Sequence, residues 1–243
     1  MVSRHDTKSP PDAFSSCKPF FWLHIKKAGG SSIRKALSRY YVSIERRKVR
    51  PLSSVQPHER NDWINNFRQD FGPYDFKRMQ FARDKVYSSG EIRQLYVFTF
   101  VRNPYDRAVS MWRYLDKNTF SLNNLRLSFH RARFGDFLKA IPSFWEKKQA
   151  DRHKATHTAP IAPDITDRDG VTLLVDFIGR IERFQEDFDR VTSHLGIPRI
   201  KMPRKNRRRR LPVPYTAYYN KKNRRLVEEL YRKDIELLEY SFE

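Results

Sequence analysis

A glycine-containing loop follows the first strongly apolar segment of the chain. Lys27 precedes Gly29 and Gly30, and Ser31 and Ser32 follow them directly. In a loop of this kind backbone N–H groups converge, and hydroxyl donors and a mobile lysine charge complement them. The combination is typical of a cradle for a phosphate or another anion. A tight turn with a solvated lysine is the alternative interpretation of this loop taken alone.

The order of residues in this loop differs from that of a Walker A motif. In a Walker A loop the lysine follows the second glycine, whereas Lys27 precedes both glycines here. This order argues against a nucleotide kinase, which would also be expected to need Mg²⁺ and to prefer ATP.

A second loop contains an arginine followed by a serine two helical turns later. Residues 100–110 read FVRNPYDRAVS, so Arg102 leaves the end of an apolar run and Ser110 lies within the segment that follows. Ser110 falls off the apolar face predicted for that segment. Taken alone, Arg102 could belong to a surface ion pair and Ser110 could be an exposed serine on a helix.

Each loop joins a predicted strand to a predicted helix. Residues 20–25 are apolar and read as a buried strand, and Ser31 or Ser32 could cap the helix after the loop. Residues 95–101 are β-branched and aromatic, and Asn103 and Pro104 are typical of a helix start. Both helices show apolar residues at i, i+3, i+4 and i+7: Ile33, Ala36, Leu37 and Tyr40 in the first, and Tyr105, Ala108, Val109 and Trp112 in the second.

The remaining periodicity predicts an α/β fold. Residues 171–178 read as a third strand and residues 152–170, with two prolines and no period, as a long loop. Apolar spacing predicts further helices around Trp63–Phe71, Phe134–Ile141, Phe184–Leu195 and Val227–Leu238. Strands that alternate with helices favour a three-layer sandwich around a mostly parallel sheet. Ligands of such folds bind at the carboxyl ends of the strands, where both loops lie.

The two loops resemble the donor-binding motifs of sulfotransferases that use 3′-phosphoadenosine 5′-phosphosulfate (PAPS). Residues 24–32, HIKKAGGSS, are similar to the loop H-I-P-K-T-G-G-T-S, with Lys26 in place of proline and Ala28 in place of threonine. Residues 100–110 are similar to the family's 3′-phosphate motif F-V-R-[ND]-P-x-x-R-x-x-S. The resemblance implies a P-loop-like, metal-independent donor site. Its implied residues are Lys27, Ala28, Gly29, Gly30, Ser31, Ser32, Arg102 and Ser110.

The resemblance implies transfer of a sulfuryl group to a hydroxyl of a glycan or another small acceptor. Lys27 would stabilise the bridging oxygen of the leaving group. A general base is also required, and related enzymes often carry a histidine shortly before the second motif, where this chain has Val86. His58 is the slightly favoured candidate for the base, because histidine titrates nearest neutral pH. The other candidates are Asp84, Glu91 and His157.

The resemblance extends weakly toward the C-terminus. Residues 176–182, DFIGRIE, are similar to a segment of the carbohydrate-sulfotransferase branch, as are Tyr218–Tyr219 and residues 231–234, and we expect these to be scaffold. In that branch the loop before the last helix closes over the nucleotide, which makes Lys205 and Arg207 candidate donor-binding residues. A solvated basic surface is the alternative for this arginine-rich segment.

The composition of the chain limits which classes of protein it can belong to. The chain has 243 residues and a net charge of +21, which predicts an anionic partner without choosing among nucleotides, acidic sugars, membranes and nucleic acids. A nucleic-acid-binding protein that uses the arginine run therefore stays open as an alternative function. The sequence contains no metal-binding motif, and its single cysteine, Cys17, excludes an internal disulfide.

Residues 1–19 read as a short flexible leader, and residues 20–243 as a single domain of the predicted α/β class. No apolar stretch is long enough to be a signal peptide or a membrane span. We therefore expect a cytoplasmic protein. Family members that modify glycans in the secretory pathway carry an N-terminal membrane anchor, and this sequence shows no segment of that kind. The resemblance therefore implies a soluble, bacterial-type enzyme or a catalytic fragment of a longer protein.

Overall fold

Three parallel strands form a sheet whose central strand carries the second loop. The computed structural model describes residues 17–44, 49–66, 68–116, 127–202 and 214–243. Strand β1 (Phe20–Leu23) pairs with β2 (Tyr96–Val101), and β2 pairs with β3 (Phe177–Arg180). Because all three strands run in one direction, their carboxyl ends lie at the same edge of the sheet.

Helices connect the strands and surround the sheet. In chain order they are α1 (Gly30–Ala36), α2 (Arg60–Asn65), α3 (Arg78–Phe81), α4 (Ser89–Gln94), α5 (Pro104–Leu115), α6 (Leu127–Glu146), α7 (Arg152–Thr158), α8 (Ala162–Ile165), α9 (Phe184–Leu195), α10 (Lys221–Leu230) and α11 (Arg232–Leu237). Within the described ranges, no helix combines the length and the apolar character needed to cross a membrane.

Both faces of the sheet are covered, because successive side chains of a strand point to opposite sides. Phe21 and Leu23 face a core built with α2, α3 and α8, whereas Trp22 and Phe98 face α1 and α9. A further core lies between α5, α6, α10 and α11, around Trp112. The predicted α/β class is confirmed, with helices on both sides of a parallel sheet.

The segment predicted as a long loop contains two short helices, so that prediction was wrong for residues 152–165. Asp151 begins α7 by accepting a hydrogen bond from the Lys154 backbone N–H. Pro163 lies in the first turn of α8, where the missing N–H of proline costs nothing. The prolines therefore mark the boundaries of helices rather than an irregular loop.

The third strand begins later than its apolar residues predicted. The Asp169 carboxylate accepts hydrogen bonds from the backbone of Val171 and Thr172, and Leu173 forms an isolated antiparallel bridge with Thr166 before β3 begins. Val171 is 71% exposed, which is incompatible with a buried strand. The last predicted helix is likewise divided into α10 and α11 at Tyr231.

The first described residues are already attached to the sheet. The Lys18 N–H donates to the carbonyl of Leu195, and the Tyr96 N–H donates to that of Pro19, each at 3.0 Å. Lys18 and Pro19 of the predicted leader thus contact the rest of the fold, and the leader of residues 1–19 stays a prediction. Residues 1–16 lie outside the described ranges.

Candidate functional site

The two predicted loops meet at the carboxyl edge of the sheet. Strand pairing places Leu23 beside Thr99, whose hydroxyl donates to the Leu23 carbonyl at 2.8 Å. Just beyond the strands, Arg102 Nη1 lies 3.5 Å from the Lys27 carbonyl oxygen. The structure thus brings a mobile lysine and an arginine of separate loops to one place.

The first loop turns sharply before α1. Lys27 and Gly29 have φ angles of 67° and 75°, and the helix begins at Gly30 without a side-chain cap. The predicted serine cap was therefore wrong, because a left-handed glycine occupies that position. Ser31 is exposed and Ser32 is buried within the first turn.

The glycines are required by the protein's own packing. A Cβ atom on Gly29 would lie 2.6 Å from Ile181 Cδ1, and one on Gly30 would overlap the ring of His24. Ala28 is 1% exposed and belongs to the core, and its N–H donates to the Ile25 carbonyl at 3.4 Å. The glycine pair is thus explained by packing alone and does not by itself indicate an anion-binding site. The case for such a site depends on the charged side chains around the loop.

The second loop is held in a fixed orientation at its first helical turn. Asn103 caps α5 by accepting from the Tyr105 N–H at 3.0 Å, as the sequence predicted. Arg102 donates to both carboxylate oxygens of Asp106, at 2.6 and 2.8 Å. Ser110 is half-buried and lies one helical turn beyond Asp106, on the same side of α5.

Two buried arginines tie the loops to the rest of the site. Arg107, 2% exposed, donates to the carbonyls of Lys26 at 3.1 Å and Ala159 at 2.7 Å. Arg78 donates to the His24 carbonyl at 3.1 Å while it is paired with Asp164 at 2.7 Å. Arg107 belongs to the motif quoted above, whereas no local pattern distinguishes Arg78 in the sequence.

An aromatic and histidine cluster lies against Lys27. The Lys27 ammonium is 4.0 Å from the centre of the Tyr114 ring. The His157 ring stacks on Tyr114 at 4.9 Å and lies 4.2 Å from the ring of His153, one turn earlier on α7. His157 was a candidate from the sequence, whereas Tyr114 and His153 were not. The i, i+4 spacing of His153 and His157 was the feature of the sequence that could have indicated neighbouring rings on one helix.

His157 is held in one orientation and kept neutral. Its Nδ1 atom lies 2.8 Å from the His153 carbonyl oxygen, which can only accept, so Nδ1 carries the proton. Burial lowers the pKa of His157 to about 3, and the positive charges of Lys26 and Lys27 act in the same direction. At neutral pH the ring is therefore an uncharged imidazole with Nε2 as its acceptor atom.

The structure does not bring His58 to the two loops. His58 is exposed in the turn Pro57–Glu59. Helix α2 then follows β1 toward the loops, since Asn61 bonds to Trp22 and Asn65 to His24. His58 precedes that helix and lies toward the amino ends of the strands. This position gives no support to His58 as the base, which stays a prediction from the sequence.

The two acidic candidates are held by partners outside the two loops. Glu91 accepts from the N–H of Ser88, the N-cap of α4, at 2.7 Å and pairs with Arg60 at 2.9 Å. Asp84 accepts from Arg83 and Arg168, each at 2.9 Å. Lys205 and Arg207, the predicted phosphate clamp, lie outside the described residues. Among the described residues, no group of three or more histidine, cysteine or acidic side chains is arranged to hold a metal ion.

Comparison with known proteins agrees with this geometry. The profile described as "Sulfotransferase family" matches residues 14–241, which is nearly the whole chain. No curated protein and no solved structure gave a match. The profile spans both loops, the sheet and the helix with the two histidines. On this match the chain belongs to the sulfotransferase family.

Proposed function

We propose that this protein transfers the sulfuryl group of PAPS to a hydroxyl group of a glycan or another small acceptor. The observation that carries the proposal is the meeting of Lys27 and Arg102 at one edge of the sheet. Family membership supplies the reaction class, and the two motifs supply the donor. The cytoplasmic location stays a prediction from the sequence.

The donor's phosphates would be divided between the loops. The backbone N–H groups of Gly29, Gly30 and Ser31 and the side chain of Lys27 face the 5′-phosphosulfate in this proposal, since those of Ala28 and Ser32 donate to the carbonyls of Ile25 and Gly29. Arg102 and Ser110 take the 3′-phosphate, since the Arg102 guanidinium and the Ser110 hydroxyl share one side of α5. Lys205 and Arg207 remain proposed partners of the nucleotide from the segment before α10.

The reaction is an in-line displacement at sulfur. The acceptor oxygen forms a bond to sulfur while the bond from sulfur to the bridging phosphate oxygen breaks, and adenosine 3′,5′-bisphosphate leaves. Negative charge builds on the bridging oxygen, where the Lys27 ammonium stabilises it and donates a hydrogen bond. The acceptor's proton passes to a base. Because the sulfuryl group carries less charge than a terminal phosphate, the transfer needs no divalent cation in this mechanism.

Thermal unfolding with nucleotides in EDTA tests the donor assignment. A ligand that binds only the folded protein raises the melting temperature by mass action. We expect a clear rise with adenosine 3′,5′-bisphosphate, a smaller one with ADP, and loss of the first in Lys27→Ala and Arg102→Ala.

Arg93→Ala is the matched control, because it removes one exposed positive charge at the opposite edge of the sheet and should respond like the wild type. An equal response to both nucleotides would contradict the donor. A response only to ATP with Mg²⁺ would indicate a kinase, and a salt-dependent response to oligonucleotides alone would indicate a nucleic-acid-binding protein.

A further inference from the structure

The geometry points to His157 as the group that takes the proton from the acceptor hydroxyl, with Nε2 as the accepting atom. This inference rests on the proposed function and adds the residue that the sequence alone could not choose. In the step, the acceptor O–H bond breaks as the oxygen attacks sulfur, and the proton bonds to Nε2. His157 leaves the step as an imidazolium that hydrogen-bonds to the His153 carbonyl.

The tautomer of His157 suits a general base. A general base needs an unprotonated nitrogen in a fixed orientation. The bond from Nδ1–H to the His153 carbonyl, within α7, gives the ring both properties, and stacking on Tyr114 fixes the ring plane. The backbone carbonyl plays the part that a carboxylate plays in other histidine bases, so it orients the ring without adding a negative charge.

Lys27 and His157 both contact the Tyr114 ring. The Lys27 ammonium is 4.0 Å and the centre of the His157 ring 4.9 Å from the centre of that ring, so the ammonium lies within about 9 Å of the centre of the His157 ring. In an in-line transfer, the leaving and attacking oxygens lie on opposite sides of sulfur. With a hydrogen bond at each oxygen, the lysine and the base are separated by no more than about 10 Å. The upper limit of about 9 Å to the His157 ring centre is compatible with this condition.

The surroundings of His157 change its proton affinity when the donor binds. Burial lowers the pKa of His157 most, the hydrogen bond to the His153 carbonyl raises it, and positive charge on His153, Lys26 and Lys27 lowers it. The donor is a polyanion, and when bound beside Lys27 it offsets these positive charges. Bound donor thus favours the imidazolium form when the proton must be accepted.

Imidazole spectra of the full-length protein test the assignment with defined probes. In ¹⁵N-labelled protein we expect His157 to show a protonated Nδ1 and an unprotonated Nε2 near neutral pH. Adenosine 3′,5′-bisphosphate should shift the His157 resonances slightly and PAPS should shift them more, because only PAPS carries the sulfuryl group. His194, stacked on Tyr96 away from the loops, serves as the internal control.

The outcomes separate the two proposals. If neither nucleotide binds, the proposed function fails and this inference fails with it. If both nucleotides bind and His157 responds identically to them, or carries its proton on Nε2, the inference is overturned and the proposed function stands. A larger response at His153 than at His157 would also overturn it.

Two substitutions add a kinetic test. His157→Asn retains an amide donor to the His153 carbonyl and loses Nε2, whereas His194→Asn makes the same change at an exposed histidine away from the loops. With radiolabelled PAPS and a pool of oligosaccharides as acceptors, we expect His157→Asn to reduce transfer by about 100-fold or more with unchanged nucleotide binding. His194→Asn should retain the transfer activity of the wild type. If the pool contains no acceptor, the spectra alone decide the assignment, and a His157→Asn variant with wild-type transfer would contradict it.

Discussion

Lys27 extends its ammonium group over the ring of Tyr114, 4.0 Å from the ring centre, although the two residues lie on different elements. Lys27 belongs to the loop after β1, and Tyr114 lies near the end of α5, the helix that begins with the second loop. The contact therefore connects the end of the second motif's helix to the lysine of the first motif. It also limits where the lysine can place its charge.

Substitutions of Tyr114 test whether its aromatic ring or only its bulk matters for the contact with the Lys27 ammonium. A cation over an aromatic face gains about 0.5–1 kcal/mol at an exposed site, and Tyr114 is 44% exposed. We expect Tyr114→Leu to lower kcat/KM for PAPS by a few-fold and Tyr114→Phe to leave it nearly unchanged, because phenylalanine keeps the ring. Initial rates with labelled PAPS measure the difference, and equal loss in both variants would assign the role to the hydroxyl.

The space between Gly30 and His24 gives a prediction about stability. Gly30→Ala places a methyl group on the His24 ring, which is held by stacking on Trp22 at 5.0 Å and by Lys26 Nζ at 3.3 Å. Overpacking of this kind costs about 1–3 kcal/mol in the free energy of unfolding. Chemical denaturation should show this loss in Gly30→Ala.

The double variant His24→Ala/Gly30→Ala tests the cause. If the clash with His24 is responsible, adding Gly30→Ala to a His24→Ala protein should cost much less than adding it to the wild type. Gly29→Ala is a contrasting variant, because its φ of 75° remains strained whichever side chain is removed. Additive losses in the double variant would show that the glycine is needed for another reason.

Local patterns were sufficient to predict the strands and helices around the two loops. The Asn103 cap and the apolar spacing of α5 depend on residues close in sequence, and the structure confirms both. Loops that leave adjacent parallel strands must share an edge, so the meeting of Lys27 and Arg102 also followed from the fold class.

Contacts between distant segments could not be predicted in this way. The Asp234 carboxylate accepts from the backbone of Ile161 and Ala162 at the start of α8, 73 and 72 positions away. This contact supports short helices in a segment whose prolines predicted a loop. From the sequence, His58 and His157 were both isolated histidines, and each was a candidate for the base. Only the path of α2 and the position of α7 in the folded protein distinguish them.

The pair of Arg78 and Asp164 should be essential for the stability of the first loop. Both side chains are buried, and Arg78 also donates to the His24 carbonyl at the end of β1. Removing one partner leaves the other charge buried without compensation, which costs about 3–5 kcal/mol. We expect Asp164→Asn to lower the free energy of unfolding by this amount in urea denaturation. Asp136→Asn, in an exposed pair with Lys139, should change it by less than about 1 kcal/mol.

The free energy of unfolding should depend on pH because His157 titrates differently in the folded and unfolded protein. Its pKa falls from 6.5 to about 3 on folding because the ring is buried, so below pH 6.5 the unfolded chain binds a proton that the folded protein excludes. The stability contributed by the neutral ring is thus complete above pH 6.5 and is lost as the pH falls toward 3, by up to about 1.4 kcal/mol per pH unit. Urea denaturation of the wild type and of His157→Asn between pH 7 and pH 4 measures this difference. The stability of the wild type should fall more steeply than that of the variant, whereas parallel curves would show that His157 titrates normally in the folded protein.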